Sequence, residues 1–397
     1  MPEDLTVTEV ADVFRRYGDH YCQQFPISPE QLKVLNLIKV CRTAALGGHL
    51  HRCEHCGYEN PAYNSCRNRH CPKCQTMAKE KWLDARRAEL LPCGYFHLVF
   101  TLPHELNSII LGNKQRLLGL LFSTVNQVLQ SFAQDPQRRL VGKIGYLAVL
   151  HTWSQTLLDH FHLHCLVPAG VLSLNEPKWI KARKRYLFRN QSLAKALRHQ
   201  YTQQLTQLYQ DGQLNFAGKT QSLSSPVNFA QLVHRIQKKQ WIVYAKRPFA
   251  GPQQVLEYLG RYTHRVAISN HRIQALENDQ VTFTYRDRSD GDKLKSMTLA
   301  TTEFIRRFLL HVLPEGFVKI RYCGFMAHRH KRRYIRLIRK LIDPQAQEPE
   351  KLKLTVAEMM LRLTGIDITH CPKCGLGKMT PYRALAPIKE PQFADTS

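Results

Sequence analysis

Residues 160–167 read HFHLHCLV, with a histidine at every second position: His160, His162 and His164. Side chains alternate across a strand, so on an extended segment these imidazoles share one face and Leu163 backs them from the other. Neutral imidazole is a common ligand of divalent ions, and two such rings with one further neutral ligand would leave about half of an ion's coordination sphere open. An ion held that way can seize and polarise a phosphate oxygen. The β-rich runs 144–156 and 161–172 lie a few residues apart and read as a hairpin, which carries the amide oxygen of Gln155 toward His162 and His164 as the expected third ligand. His151 is the alternative third ligand, and His160 shares the face by parity but sits near the turn. Mg²⁺ prefers oxygen, so a nitrogen-rich site also admits Mn²⁺.

A second constellation lies in EYLGRYTHR, where Tyr258 and Tyr262 are four residues apart. The segment 251–265 reads as a helix with Pro252 near its first turn, which stacks the two phenols on one face. They could be core residues of an amphipathic helix, but Arg261, His264 and Arg265 crowd the same turns. A phenol titrates near 10 in water, at about that value, so a nucleophilic tyrosine needs neighbouring cations or a metal to stabilise its phenolate. Tyrosine beside arginine in a cation-rich chain points to attack on a DNA phosphate.

A third cluster is the run RCEHCGYENPAYNSCRNRHCPKC, in which Cys53, Cys56, Cys71 and Cys74 form two CxxC pairs. Each pair can turn tightly and present two thiolates, and two such turns close a tetrahedral Zn²⁺ shell with no open position, which is the structural kind of site. Cys66 and His70 lie inside the block as further candidate ligands, and Arg52, Arg67, Arg69 and Lys73 would meet nucleic acid. A lone CPKC at 371–374 offers Cys371 and Cys374 for additional zinc, with Cys323, His328 or His330 as candidates to complete that site.

The elements that must position these groups are legible in outline. A helix is predicted over 28–45, opened by Ser28 and Pro29 and stopped at Gly47 and Gly48. A buried strand at 94–103 precedes a long apolar-periodic helix over about 105–133. Further strands follow at 240–246 and in the alternating segments up to about residue 300, with Gly291 in a turn. The helix 329–341, RHKRRYIRLIRKL, carries no acid.

The chain has 397 residues, 43% of them apolar, which suffices for more than one core without disulfides. Lysine and arginine number 57 against 31 acids, a net charge of +26. A polyanion is the expected partner, and Lys181, Arg183, Arg185, Arg261, Arg265, Arg332 and Arg333 are candidate DNA contacts. No apolar run is long enough to span a bilayer, and the N-terminus lacks the pattern of a signal peptide. A cytoplasmic protein is expected, with no membrane partner and with its cysteines reduced and available to metals.

Taken together, HTWSQT followed by HLH, the later YLGRYTHRVAIS, the CRTAALGGH segment, the cysteine block ahead of YFHLVFTLPHELN and the trailing CPKCG resemble the two-tyrosine HUH transposases of rolling-circle insertion sequences. The resemblance runs from about residue 28 to 380 with the motifs in the family's order. It implies an α+β fold: an antiparallel-sheet HUH nuclease core flanked by helices, preceded by a helical segment and a small zinc-ribbon-like module. The corresponding organisation is 1–48 helical, 49–90 zinc-binding, 91–300 nuclease core, 301–345 basic helical and 346–397 a tail with the last CxxC. It further implies a divalent ion on His162 and His164, with Gln155 standing where related replication initiators place a polar ligand, and Tyr258 and Tyr262 attacking single-stranded DNA. The products would be a 5′-phosphotyrosine link and a free 3′-hydroxyl. Expected partners are single-stranded or hairpin DNA at element ends, target DNA and host helicase and replication proteins, since the chain has no GxxxxGK[ST] phosphate loop. A bacterial cytoplasmic protein that joins the nucleoid when bound to DNA is implied. Two other readings stand beside it: a plasmid relaxase or rolling-circle replication initiator, and a zinc-dependent DNA-binding protein without chemistry.

Overall fold

The structure is a computed structural model that describes residues 8–182, 187–249, 254–255, 260, 266–347 and 354–388. Along the chain come α1 (Val10–Gln24), α2 (Pro29–Lys39), β1 (Gly48–Cys53), β2 (Glu59–Tyr63) and α3 (Pro72–Arg87). Next are β3 (Tyr95–Thr101), α4 (Asn107–Gly112), α5 (Lys114–Gln134), β4 (Gly145–Trp153), β5 (Asp159–Pro168), β6 (Gly170–Leu172) and β7 (Trp179–Lys181). They are followed by α6 (Asn190–Gln210), α7 (Pro226–Lys238), β8 (Ile242–Phe249), β9 (Ile273–Glu277), β10 (Gln280–Asp287), β11 (Lys293–Ala300) and α8 (Thr301–Leu310). The last are β12 (Ile320–Gly324), α9 (Lys331–Ile342), α10 (Val356–Thr364) and β13 (Met379–Leu385). Every named strand pair is antiparallel, so the fold is mixed α and β with antiparallel sheets, in the expected class. No described helix is long and apolar enough to cross a membrane.

The chain divides into two compact units. The first gathers Met1–Asp84, His264–Val312 and Lys351–Ser397. In α1 the residues Val10, Val13, Phe14 and Tyr21 fall on one stripe, the three-to-four spacing of a half-buried helix, and all are buried. Phe14 meets Phe308 of α8 edge to face with ring centroids 5.2 Å apart, and Phe304 meets Phe283 of β10 at 5.9 Å. The β9–β10 hairpin turns on Asn278 and Asp279, both at positive φ (48° and 57°), as a two-residue turn of right-handed strands requires. In α2, Ser28 and Gln31 cap each other reciprocally. The helix predicted to reach residue 45 stops at Lys39, because Arg42 takes a φ of 57° and its N–H donates to the Asn64 carbonyl, 3.1 Å away, which turns Cys41 inward.

The second unit comprises Ala85–Thr263 and Leu313–Glu350 and holds a five-stranded sheet in the order β12-β4-β5-β3-β8. Phe100, Leu150, Leu163 and Cys165 point to one face and join Leu121 and Val125 of α5 and Leu197 of α6 in a single apolar cluster. Strand alternation therefore sends His162 and His164 to the opposite face. The long helix predicted over 105–133 is interrupted at Asn113 (φ −135°), whose side chain bonds the Ile109 and Asn215 carbonyls and the Asn215 N–H. A side chain that bonds the end of α4 and is tied to the Asn215 backbone outweighs the continuous apolar period.

The consecutive segments drawn from the sequence are regrouped: 1–48, most of 49–90 and the tail from 351 fall in one unit together with 264–312, which had been assigned to the nuclease core and the basic region. The reason is long-range pairing, of β1 with β13 and of α1 with α8, that local spacing does not encode. The C-terminal segment supplies α10 and a sheet strand. Leu163 is fully buried directly behind the histidines. Leu163→Ala should cost about 2–5 kcal/mol of stability, read as a lower urea midpoint with unchanged slope, and a loss under about 0.5 kcal/mol would contradict this packing.

Candidate metal centres

The register of β4 and β5 sets His151 directly opposite His162 and Val149 opposite His164. Directly opposed residues of an antiparallel pair share a face and stand about 5 Å apart at Cβ, so three imidazoles converge. Their ligand atoms lie within 4.8 Å of one another and all three rings are buried. The ring centroids of His151 and His164 are 4.4 Å apart, those of His162 and His164 4.8 Å. A register shift between His151 and Trp153 ends regular pairing beside the site, where a bulge re-aims side chains. Trp153 stacks on His151 with centroids 5.1 Å apart.

Two further contacts orient the rings. Nδ1 of His162 lies 2.8 Å from the carbonyl oxygen of exposed His160, and Nδ1 of His164 lies 2.8 Å from Nε2 of His97. With Nδ1–H donating in both cases, Nε2 of each ring carries the lone pair that a metal takes. His97 on β3 is buried, and its ring plane lies within 6° of that of His164, as an in-plane contact between two ring nitrogens requires. Sequence reasoning missed it, and its only signal was a single polar residue inside an otherwise apolar strand.

The expected third ligand, Gln155, falls in the turn between β4 and β5, past the end of regular strand pairing, and His151 is the residue that the register brings to His162 and His164. Three imidazole nitrogens suit Mn²⁺ or another nitrogen-accepting ion better than Mg²⁺.

The thiols are also regrouped. Cys53, Cys56, Cys71 and Cys74 do not form one shell: Cys71 and Cys74, at the start of α3, gather with Cys41 and Cys66, and Cys53 and Cys56 gather with Cys371 and Cys374. β1 ends in Cys53 and pairs with β13, with Cys53 opposite Met379, so the CPKC segment just ahead of β13 reaches Cys53 before Cys71 does. Cys323, His328 and His330 belong to the other unit from Cys371 and Cys374, and His70 stands outside the four-thiol group, its N–H donating to Asn68. Cys41, which the spacing argument overlooked, is buried just past α2.

In the first group Sγ of Cys74 lies 3.5 Å from Cys41 and 3.6 Å from Cys66. Tetrahedral zinc with bonds of about 2.3 Å places sulfurs about 3.8 Å apart, so this cage fits zinc. The thiols of this group share hydrogen bonds, so the charge is divided among them: Cys74 is pulled far below its ordinary range and Cys41 to about 7, while Cys66 and Cys71 are pushed up. In the other group the N–H groups of Gly377 and Leu376 draw Cys374 down to about 6. Thiolate is the form that binds metal.

Of the candidate phosphate contacts, Lys181, Arg332 and Arg333 are exposed. In α9 two cations turn inward: Lys331 pairs with Glu89 at 2.5 Å, and Arg339 donates to the Ala88 and Leu90 carbonyls. Lys73 is likewise engaged, 2.6 Å from Glu9. Tyr258, Tyr262, Arg261, Arg265, Arg183 and Arg185 lie outside the described residues.

His162→Ala should abolish Mn²⁺ binding measured by calorimetry. His97→Ala keeps all three ligands and should weaken binding about 10–100-fold by loosening the His164 ring; wild-type affinity in the His97 variant would refute the orienting contact.

Comparison with known proteins places the chain in a family. Residues 145–333 match the family described as "Putative transposase", and residues 13–102 match the "Transposase zinc-binding domain". "Putative transposase y4qJ" of Sinorhizobium fredii is 44% identical over 393 residues, covering 98% of this chain and 98% of that protein. "Transposase for insertion sequence element IS801" of Pseudomonas savastanoi pv. phaseolicola is 24% identical over 368 residues, covering 90% and 84%. No solved structure matches. With both matches in order along the chain and relatives that run nearly its whole length, the protein belongs to the IS91/IS801 family of insertion-sequence transposases.

Proposed function

We propose that this transposase nicks and rejoins single-stranded DNA at the ends of an insertion sequence through a tyrosine nucleophile and a divalent ion. The observation that carries the reading is the convergence of His151, His162 and His164 on one face of the antiparallel sheet. A divalent ion there would polarise the scissile phosphate. His97 and the His160 carbonyl hold two of the three rings in one tautomer and orientation.

Tyr258 or Tyr262 supplies the nucleophile. Its phenolate oxygen attacks phosphorus, a tyrosyl O–P bond forms, the bond to the 3′ oxygen breaks, and that oxygen takes up a proton. The 5′-phosphate stays on the enzyme and the free 3′-hydroxyl is available to prime synthesis, as rolling-circle transposition requires. Phosphodiester energy is conserved in the link, so rejoining by a 3′-hydroxyl needs no nucleotide cofactor. The second tyrosine takes a second strand end. The Cys41, Cys66, Cys71 and Cys74 thiols would hold zinc, which would order the N-terminal module. DNA is held through its phosphates by exposed cations such as Lys181, Arg332 and Arg333. Strand separation falls to a host helicase, because the sequence has no phosphate loop of its own.

Purified protein with Mn²⁺ and labelled single-stranded DNA carrying an element end should give a covalent adduct on a denaturing gel. The adduct should vanish in His162→Ala and in the double variant Tyr258→Phe, Tyr262→Phe; tight binding without any adduct or nick on a correct end would sink the nuclease reading. In a salt titration Arg332→Ala and Arg333→Ala should each weaken binding to all sequences alike and lower the slope of log affinity against log salt by about 1. An unchanged slope would remove that helix from the DNA contact.

A further inference from the structure

The match to the zinc-binding domain ends at residue 102, and Cys371 and Cys374 lie far beyond it. We infer that the chain carries a second structural zinc site built from distant segments, Cys53 and Cys56 from the end of β1 and Cys371 and Cys374 from the loop that leads into β13.

The geometry is that of a closed tetrathiolate shell. The four ligand atoms lie within 4.8 Å of one another, and Sγ to Sγ distances are 3.7 Å for Cys53 to Cys374 and 3.7 Å for Cys56 to Cys371. Those separations are close to the edge of about 3.8 Å for tetrahedral zinc. The two CxxC loops also share one backbone design. The Gly57 N–H donates to the Cys53 carbonyl at 3.1 Å, and the Gly375 N–H donates to the Cys371 carbonyl at 2.9 Å. Both glycines have φ +69°, a left-handed conformation that side chains disfavour. Backbone N–H groups then point at sulfur: Cys56 N–H toward Cys53 and Gly377 N–H toward Cys374, each at 3.5 Å. A side chain at Gly377 would place Cβ 2.4 Å from the Cys53 sulfur, so the two loops are pressed together around the thiols.

The surroundings need such a centre. The sheet β13-β1-β2 has almost no core of its own: β2 is exposed along its length and β13 through its middle. A sheet that buries so little apolar surface is held by a metal, whose binding energy becomes folding energy. The two thiol clusters also differ in access. In the cluster of Cys53 and Cys371, both buried, Cys56 is exposed and Cys374 half-buried, whereas in the other cluster only Cys66 is half-buried and Cys41, Cys71 and Cys74 are buried.

The test is zinc per chain in purified full-length protein carrying His162→Ala, so that the three-histidine group contributes no ion to the count, measured by mass spectrometry of the metal. Two equivalents are expected, with one released to a chromogenic chelator well ahead of the other. The pair Cys371→Ser, Cys374→Ser should hold one equivalent and lack the fast phase. The pair Cys53→Ser, Cys56→Ser should do the same, and all four changes together should remove no more. Adding Cys71→Ser and Cys74→Ser to the Cys371 and Cys374 pair should leave none. A single equivalent in the His162→Ala chain with every cysteine intact overturns the inference, as does retention of both equivalents after loss of Cys371 and Cys374. Loss of two equivalents in the fourfold Cys53, Cys56, Cys371, Cys374 variant would also overturn it, since the two halves would then not share one ion.

Discussion

In the register that sets His151 against His162, three imidazoles fall on one face of the sheet and the apolar residues between them fall on the other. A slip of one residue would send His162 and His164 into the cluster beneath α5 and bring Leu163 to the metal side, an exchange that costs both burial and ligation. The same pairing puts β3 on the far side of β5, with Val99 opposite His164, so that His97, two residues along, reaches the ring of His164 diagonally. Ligand set, ring orientation and core packing are thus three results of one hydrogen-bonded ladder.

The five-stranded sheet and the small sheet β13-β1-β2 are held by different means. Around the five-stranded sheet, two long helices cover one face with a continuous apolar cluster, and removal of water from that surface is the dominant favourable term. The small sheet β13-β1-β2 has no such cover, and its order rests on thiols held in two cages at its margins. Basic character follows the same division of labour within α9, where Lys331 and Arg339 are spent on packing and Arg332 and Arg333 remain at the surface.

Much of the site is legible in the sequence because it is local. Alternation in HFHLHCLV dictates which residues share a face, and the short gap between two β-rich runs dictates a hairpin. The CxxC spacing dictates two thiolates per turn. What the sequence does not display is partner choice across long separations. Cys53 lies nearer in the chain to Cys71 than to Cys374, yet strand pairing of β1 with β13 decides the matter. His97 and Cys41 were overlooked for the same reason, since each becomes meaningful only beside residues far along the chain. Gln155 was favoured over His151 because the hairpin was drawn with its strands running to the turn, whereas pairing loses its regular register beyond His151.

The separation of the two thiol pairs also orders events in time. Cys41, Cys66, Cys71 and Cys74 leave the ribosome close together, so their cage closes early in synthesis. Cys56 then waits for Cys371, 315 residues later. At about 5–20 residues per second that wait is roughly 15–60 s. Throughout it the β1 loop is a half-dressed pair of thiols, open to oxidation or to exchange with other soft ligands, and a message broken anywhere in the interval yields a protein whose first sheet never gains its third strand.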